Sequence, residues 1–279
     1  MVKTLRQIYR KIVPAFIRKR FYEVRNKRKL ISVAIANEME FQVNPSQFWY
    51  DFNTGIWEPA TKNFYKRYIS PMKAVVDIGG WIGPTMLIAY SHNPSKIYVV
   101  EADPVNYQIL KSNCMKNYLE DKVELYHVCI ADKTNDVAGF GYADRNIHDT
   151  STKTIVKDGE RVKVRTITLD DYLKKIDMGN VNVIKIDIEG GEQYIESGLE
   201  YIAKFPEITI LFSIHTPFWN DKEKTTQMLL EQFKHFDVFS DTEEKINEEE
   251  LYLKLMSEKP TQYNNKTGEF FTVILKTKS

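Results

Sequence analysis

Residues 74–90, AVVDIGGWIGPTMLIAY, decide the fold of this chain. An apolar, β-branched run ends in Asp77, three glycines follow within a few positions, and an apolar helical pattern takes over. A strand that passes into a helix through glycines sets the free N–H groups of the helix start beside the strand's end, a backbone cradle for a nucleotide. Gly79, Gly80 and Gly83 let the main chain approach a ligand closely, and Pro84 suits the first helical turn, where its missing donor costs little.

Working outward, strands and helices alternate. The pattern predicts strands at 73–78, 96–101, 123–131, 182–188 and 207–215, and helices at 85–90, 105–117, 169–175, 194–203 and 225–235. Runs such as KIYVV and VNVIKIDI suit strands buried on both faces of a parallel sheet. The alternating stretch TKTIVKDGERVKVRTI, residues 152–167, with Asp158-Gly159 at its tip, predicts a β-hairpin inserted before the fourth strand. The closing EFFTVILKTK predicts a strand pairing antiparallel at or near the sheet edge, with only short acidic material ahead of it. The fold class is α/β, doubly wound, around a mostly parallel sheet, with a basic N-terminal helical extension.

The domain reading is a basic amphipathic helix over 1–35, an aromatic-rich segment over 36–72 covering the active site, and a ligand-binding domain over 73–279. Residues 1–30 hold eleven Lys or Arg against one acid, Glu23, while the rest of the chain is mildly acidic, so the net charge of +1 hides a basic head on an acidic body. Such a helix either lies on an anionic membrane surface or packs its apolar stripe on the body. Positive charge gathered away from the expected site argues against a nucleic-acid enzyme. Two cysteines, Cys114 and Cys129, make neither a disulfide framework nor a zinc set, so a cytoplasmic home is expected, with the basic head allowing contact with the inner membrane face.

In a doubly wound sheet the ligand sits at the carboxyl ends of the strands. Glu101 ends the second strand, 22 residues after Gly79, where a carboxylate can accept both hydroxyls of a ribose. An adenosine ligand follows. The dinucleotide turn reads G-x-G-x-x-G and serves a pyrophosphate; here Asp77 lies beside the turn, which repels pyrophosphate and suits the cationic amino group of a methionine moiety. S-adenosylmethionine is therefore expected, with an NAD-dependent oxidoreductase and a non-catalytic scaffold of the same fold as alternatives.

These residues resemble the FkbM-type S-adenosylmethionine-dependent methyltransferases. The similarity runs from about Trp57 to His215 and rests on GIWEP, VVDIGGWIG, VVEADPVNYQILKSN, TITLDDYL and above all VIKIDIEGGEQYIESG. It implies a Rossmann-like class I methyltransferase sheet of seven strands with the last antiparallel, and methylation of a hydroxyl on a sugar, glycan or glycolipid precursor. It further implies that Asp77, Gly79, Gly80 and Gly83 surround the methionine portion, that Glu101 holds the ribose, that Ala102 and Asp132 meet the adenine, and that Asp187 ends the fourth strand beside the methyl group. Trp81 stands where the family usually has Asn, and Ser213-Ile214-His215 where it has an acid and a His.

Transfer to a hydroxyl needs alignment and a proton acceptor. Asp187, Glu189, Glu192 and His215 are the candidate catalytic residues, His215 as a neutral imidazole being the first choice of base. Structural uses remain open: Asp187 orienting the cofactor, Glu189 and Glu192 capping a helix, His215 bonding a loop. The same acids with Asp170 and Asp171 could hold Mg²⁺, although no spacing in the sequence fixes a metal. TSTKT, residues 150–154, and the aromatics near Trp49 and Trp57 are candidate acceptor walls.

Overall fold

The structure, a computed structural model, describes residues 30–35, 39–55, 57–142, 153–156, 161–263 and 266–278. The chain forms two compact units, Met1–Trp57 and Glu58–Ser279.

In the first unit, strands β1 (Ile31–Ile35) and β2 (Met39–Val43) pair antiparallel, and α1 (Gln47–Phe52) follows. Residues 1–29 of the expected helical extension lie outside the described residues. Its last five residues form β1 instead of helix: Ile31, Val33 and Ile35 are buried while Ser32 and Ala34 are exposed, the period-two pattern of a strand. Phe48, Trp49, Phe52 and Trp57 interlock largely edge-to-face or tilted, with ring centroids 5.0–5.8 Å apart.

The second unit opens with α2 (Pro59–Tyr68) and is built on β3 (Ala74–Ile78), β4 (Lys96–Glu101), β5 (Val123–His127), β10 (Val181–Ile186), β11 (Thr209–His215), β12 (Phe236–Ser240) and β13 (Phe270–Thr277). They form one sheet in the order β12-β13-β11-β10-β3-β4-β5. β13 runs antiparallel to both its neighbours; the β11-β10-β3-β4-β5 pairs are parallel. This is the doubly wound, seven-stranded sheet expected. The chain lays β4 and β5 on one side of β3 and then returns to place β10 on the other, so the topological switch lies between β3 and β10.

The crossovers are α3 (Pro84–Ser91), α4 (Pro104–Lys116), α5 (Leu169–Leu173), α6 (Glu196–Ile202) and α7 (Lys222–Phe233), with α8 (Glu248–Leu255) ahead of β13. Their starts are chemically marked. Asp103 accepts from the backbone N–H of Val105 and Asn106 at 3.0 and 2.8 Å, and Asp221 caps α7 through Lys224 N–H at 3.0 Å. The core lies between helices and sheet, from Ile78 and Ile186 to Leu199, Phe212 and Leu229, all fully buried. Among the described residues no helix is long and apolar enough to cross a membrane.

Three expectations are corrected. The third strand is split: β5 belongs to the large sheet, whereas β6 (Cys129–Ile130) joins a small sheet of order β6-β9-β7-β8. The predicted hairpin does not form as such. Its arms, β8 (Lys153–Ile155) and β9 (Arg161–Ile167), both pair with β7 (Val137–Tyr142), which lies between them. The glycines of β7, Gly139 and Gly141, mute its strand signal; Asp158-Gly159 lies outside the described residues. Finally, the stretch before the closing strand, expected to be only short acidic material, contains β12 and α8; β13 itself pairs antiparallel near the edge as expected, second from it.

The turn after β3 is packed against β10. Gly79 has φ +91°, and a Cβ there would stand 1.9 Å from the backbone oxygen of Asp187. Gly79→Ala is expected to lower stability by at least about 2 kcal/mol, from overpacking added to a left-handed backbone; urea denaturation checks it.

Candidate active site

The ends of β3 and β4 make the first half of the site. Gly79 and Gly80 N–H both donate to Val100 O at 2.9 Å, which curls the glycine turn over β4. Trp81 N–H donates to Glu101 Oε2 at 2.8 Å and Asp103 N–H to Oε1 at 2.7 Å. Burial pushes the Glu101 carboxyl up to about 8, against the pull of these two donors. Trp81 itself adopts φ +48°, a left-handed conformation that Asn takes more readily than Trp. Ala102 is half-buried against Cys129, Phe140 and Val164, so it joins the glycine-turn side of the site to the small sheet. Lys153 Nζ reinforces that join, 2.6 Å from Asp103 Oδ2.

The ends of β10 and β11 make the second half. In register, Lys185 of β10 lies opposite Asp77 of β3, and Asp187 follows two residues on along the same face. Lys185 is almost fully buried, its Nζ 3.0 Å from Asp187 Oδ2 and 3.8 Å from Asp77 Oδ1. Burial disfavours the ammonium, yet Asp187, Asp77 and Glu58 outweigh it and hold it charged, above the usual lysine range. Thr85 Oγ1, from the first turn of α3, donates to Asp77 Oδ2 at 2.5 Å, while Asp77 Oδ1 is buried without a hydrogen-bond partner.

His215 ends β11 with its Nε2 3.4 Å from Asp187 Oδ1 and 3.6 Å from Glu189 Oε2. Its Nδ1 lies 2.8 Å from Glu192 Oε1. Glu192 is sealed from solvent and also accepts Trp219 Nε1–H at 2.7 Å and Gly190 N–H at 3.1 Å. Burial works against a charged imidazole, but the carboxylates of Glu189, Glu192 and Asp187 prevail and raise His215 to about 10. Burial lifts Glu189 to about 7, with His215 pulling the other way. Asp187 is also opposed by burial, but Lys185 and His215 hold it below the usual carboxylate range. The histidine therefore rests as an imidazolium among carboxylates.

Among the described residues, Asp187, Glu189 and His215 bring ligand atoms within 4.8 Å of one another, the grouping that could hold a cation. Lys185 Nζ, 3.0 Å from Asp187 Oδ2, already neutralises one carboxylate of that grouping. Asp170 and Asp171 do not join this group. Lys174 Nζ and Ser197 Oγ hold Asp170 at 2.7 Å each, and Asp171 accepts Thr134 Oγ1.

Comparison with known proteins decides the family. The model described as the methyltransferase FkbM domain matches residues 77–242, more than half of the chain. The chain belongs to the FkbM methyltransferase domain family. It is 37% identical over 143 residues to a ribosomal protein L11 methyltransferase of Carboxydothermus hydrogenoformans, a match spanning 50% of this chain and 42% of that relative's length. Two solved structures are similar at low identity. One is a methyltransferase FkbM from Methylobacillus flagellatus, with 13% identity, 77% of this chain and 50% of that one covered, and a TM-score of 0.43. The other is an RNA methyltransferase from Salinibacter ruber in complex with S-adenosyl-L-homocysteine, with 11% identity, coverage of 57% and 76%, and a TM-score of 0.34.

Of the residues singled out from the sequence, Asp77, Asp187, Glu189, Glu192 and His215 converge in this FkbM domain. Gly79, Gly80, Gly83 and Glu101 shape the adjoining turn. Asp132 is exposed on the side of Tyr194 and Cys129. Glu192 is corrected in role: with no solvent-facing surface, it acts through His215 and Trp219 rather than on a substrate. Residues 150–152 of TSTKT lie outside the described residues. Sequence reasoning missed Lys185, Thr85, Trp219 and Glu58. The lysine was readable: a charged residue inside an apolar run, two positions before a carboxylate, must find a buried partner.

His215 supplies a pH signature. Its pKa rises from 6.5 for an ordinary histidine to about 10 in the fold, so its stabilisation is fully present below pH 6.5 and is lost as pH rises through about 10. The C2 proton of the ring, followed by NMR, is expected to stay at its imidazolium position at pH 8. A midpoint near 6.5 contradicts the geometry.

Proposed function

We propose that this FkbM methyltransferase uses S-adenosylmethionine and methylates a hydroxyl of a sugar, glycan or glycolipid precursor. The observation that carries the reading is the cluster of Asp187, Glu189 and His215 at the carboxyl ends of β10 and β11, beside the glycine turn of β3. The residues present fit the donor: Asp77 Oδ1, buried without a hydrogen-bond partner, is a ready acceptor for an ammonium, and Glu101 ends β4 where a ribose is expected. Membership of a methyltransferase family sets aside the oxidoreductase alternative.

Bound there, S-adenosylmethionine supplies a methyl group on a sulfonium, open to in-line attack. Asp187, fixed by Lys185, orients what approaches it. A hydroxyl acceptor gives up its proton to the Glu189–His215 pair. Because His215 already holds a proton and Glu189 lies at about 7, Glu189 is the member free to accept one just above neutrality. His215 then serves as the cation that steadies Glu189, with Glu192 and Trp219 fixing the ring. This reverses the order of the sequence-based choice, which put His215 first.

Calorimetric titration with S-adenosylhomocysteine tests the donor: folded protein that shows no binding at millimolar ligand overturns the reading. Incubation of host extracts with radioactive methyl donor tests the acceptor; label in the glycan or lipid fraction is expected, while label confined to protein favours a protein acceptor, as the name of the L11 relative suggests. Glu189→Gln is expected to lower turnover by about 10²–10⁴ with product affinity nearly unchanged. It should also remove a limb of the kcat/KM profile that rises with pH through about 7.

A further inference from the structure

Phe270, the first residue of β13, lies directly opposite His215 across the two strands, so their side chains share one face of the sheet. It is 41% exposed. A lone exposed phenylalanine needs no explanation, but this one is held still. Its ring centroid stands 5.8 Å from that of His215, 5.4 Å from Phe218 and 5.4 Å from Tyr263, inclined to them by 67°, 66° and 50°. Phe218 and Tyr263 are buried and meet edge-to-face at 4.9 Å.

The chain fixes these braces in turn. Phe218 closes a short helical turn after β11, residues Thr216–Phe218, and packs on the loop that carries Glu189: a Cβ on Gly190 would stand 2.6 Å from Phe218 Cβ. The segment ahead of β13 is stapled over that turn. Glu269 N–H donates to Thr216 Oγ1 at 2.9 Å, Lys266 Nζ to Pro217 O at 3.0 Å, and Lys222 Nζ to Ser257 O at 2.8 Å. Tyr263 and Phe270 both lie beyond residue 242, where the family match ends, so this wall belongs to the chain's own part rather than to the shared domain.

Its neighbours decide what the wall can hold. The imidazole bridges Phe270 to the proton acceptor, with Glu189 Oε2 3.6 Å from His215 Nε2. The next pair on the same face, Ser213 and Thr272, is half-buried with its hydroxyls 3.5 Å apart, the limit of a hydrogen bond. An apolar ring face thus stands beside a carboxylate and two weakly engaged hydroxyls. A pyranose is the complement: its faces carry C–H bonds polarised by neighbouring oxygens, suited to the negative face of an aromatic ring, and hydroxyls surround its edge. A ligand apolar on every side would strip water from the polar groups and replace nothing. Because the ring is already immobilised, little side-chain freedom is lost when a sugar settles on it.

We propose that Phe270, braced by Phe218 and Tyr263, is the platform on which a sugar ring of the acceptor lies, its reacting hydroxyl turned to Glu189. The inference rests on the sugar-hydroxyl reading above and gives that acceptor its place. It is a different wall from those the sequence suggests, at 150–154 and near Trp49 and Trp57.

The full chain is assayed with radioactive S-adenosylmethionine and a glycan extract of the host at varied hexose concentration, and titrated with S-adenosylhomocysteine by calorimetry. Phe270→Ala is expected to raise the half-saturating glycan concentration about tenfold, with kcat and S-adenosylhomocysteine affinity changed no more than about twofold. Phe270→Leu, which keeps apolar bulk without an aromatic face, is expected to share most of that loss, and Phe270→Tyr to stay within about twofold of wild type. A fall in kcat at unchanged KM overturns the proposal, as does a leucine variant equal to wild type. Should the variants fail to fold, the wild-type protein still decides. Saturation of its aromatic protons in NMR is expected to pass to the ring C–H protons of sugars in the extract, and no transfer to them overturns the platform. Wild-type protein that binds S-adenosylhomocysteine yet labels no glycan strikes down the sugar reading and the platform with it. Labelled glycan with every Phe270 variant unchanged strikes down the platform alone.

Discussion

One buried ammonium holds the switch point of the sheet together. Lys185 stands between carboxylates on two adjacent strands, Asp77 of β3 and Asp187 at the end of β10. Without it, two acids would face each other in a low-dielectric interior, where an unpaired charge costs several kcal/mol. The main chain depends on the same point. Asp187 N–H donates to Ile78 O at 2.9 Å, and its own carbonyl leaves Gly79 no room for a side chain. The glycine turn and the end of β10 therefore form one object, fixed through Lys185.

The histidine cluster is built onto that object. Asp187 gives one oxygen to Lys185 and the other to the neighbourhood of His215, so the lysine's order reaches the imidazole through a single carboxylate. On its other side His215 is held by Glu192, whose remaining oxygen is taken by the Trp219 indole. Only Glu189 in this group combines a partly open carboxyl with a pKa near neutrality. Burial sets the two acids apart: the sealed one holds the ring, and the open one is the proton acceptor we propose.

Much of this was legible in the sequence, for identifiable reasons. The parallel strands announced themselves because burial on both faces leaves β-branched runs, and the glycines after Asp77 marked the turn because no other residue fits against Asp187. Glu101, Asp187 and His215 were found because each ends a strand. β7 escaped because Gly139 and Gly141 carry no side-chain pattern, and the hairpin was mispaired because local alternation cannot say which strand comes between its arms. Ile31–Ile35 was drawn into a helix by the basic run before it, although its own alternation is that of a strand. Which base acts was illegible, since it turns on three carboxylates meeting around one ring. Glu58 gave only a weak signal: its strain is a property of the backbone, and Asp187 and Lys185, which act on it, are more than a hundred residues away along the chain.

The position of β13 has a consequence for how the enzyme is made. β12 pairs in the large sheet only with β13, and His215 has Phe270, the first residue of β13, as its partner across the strands. During synthesis from the N-terminus, β3, β4, β5, β10 and β11 can all assemble while the flank of β11 is still bare and β12 has nothing to join. An exposed edge of that kind invites pairing with other chains. The nascent domain thus passes through a stage with its glycine turn formed and its histidine wall unfinished, and the sheet is completed only when residues 270–277 leave the ribosome.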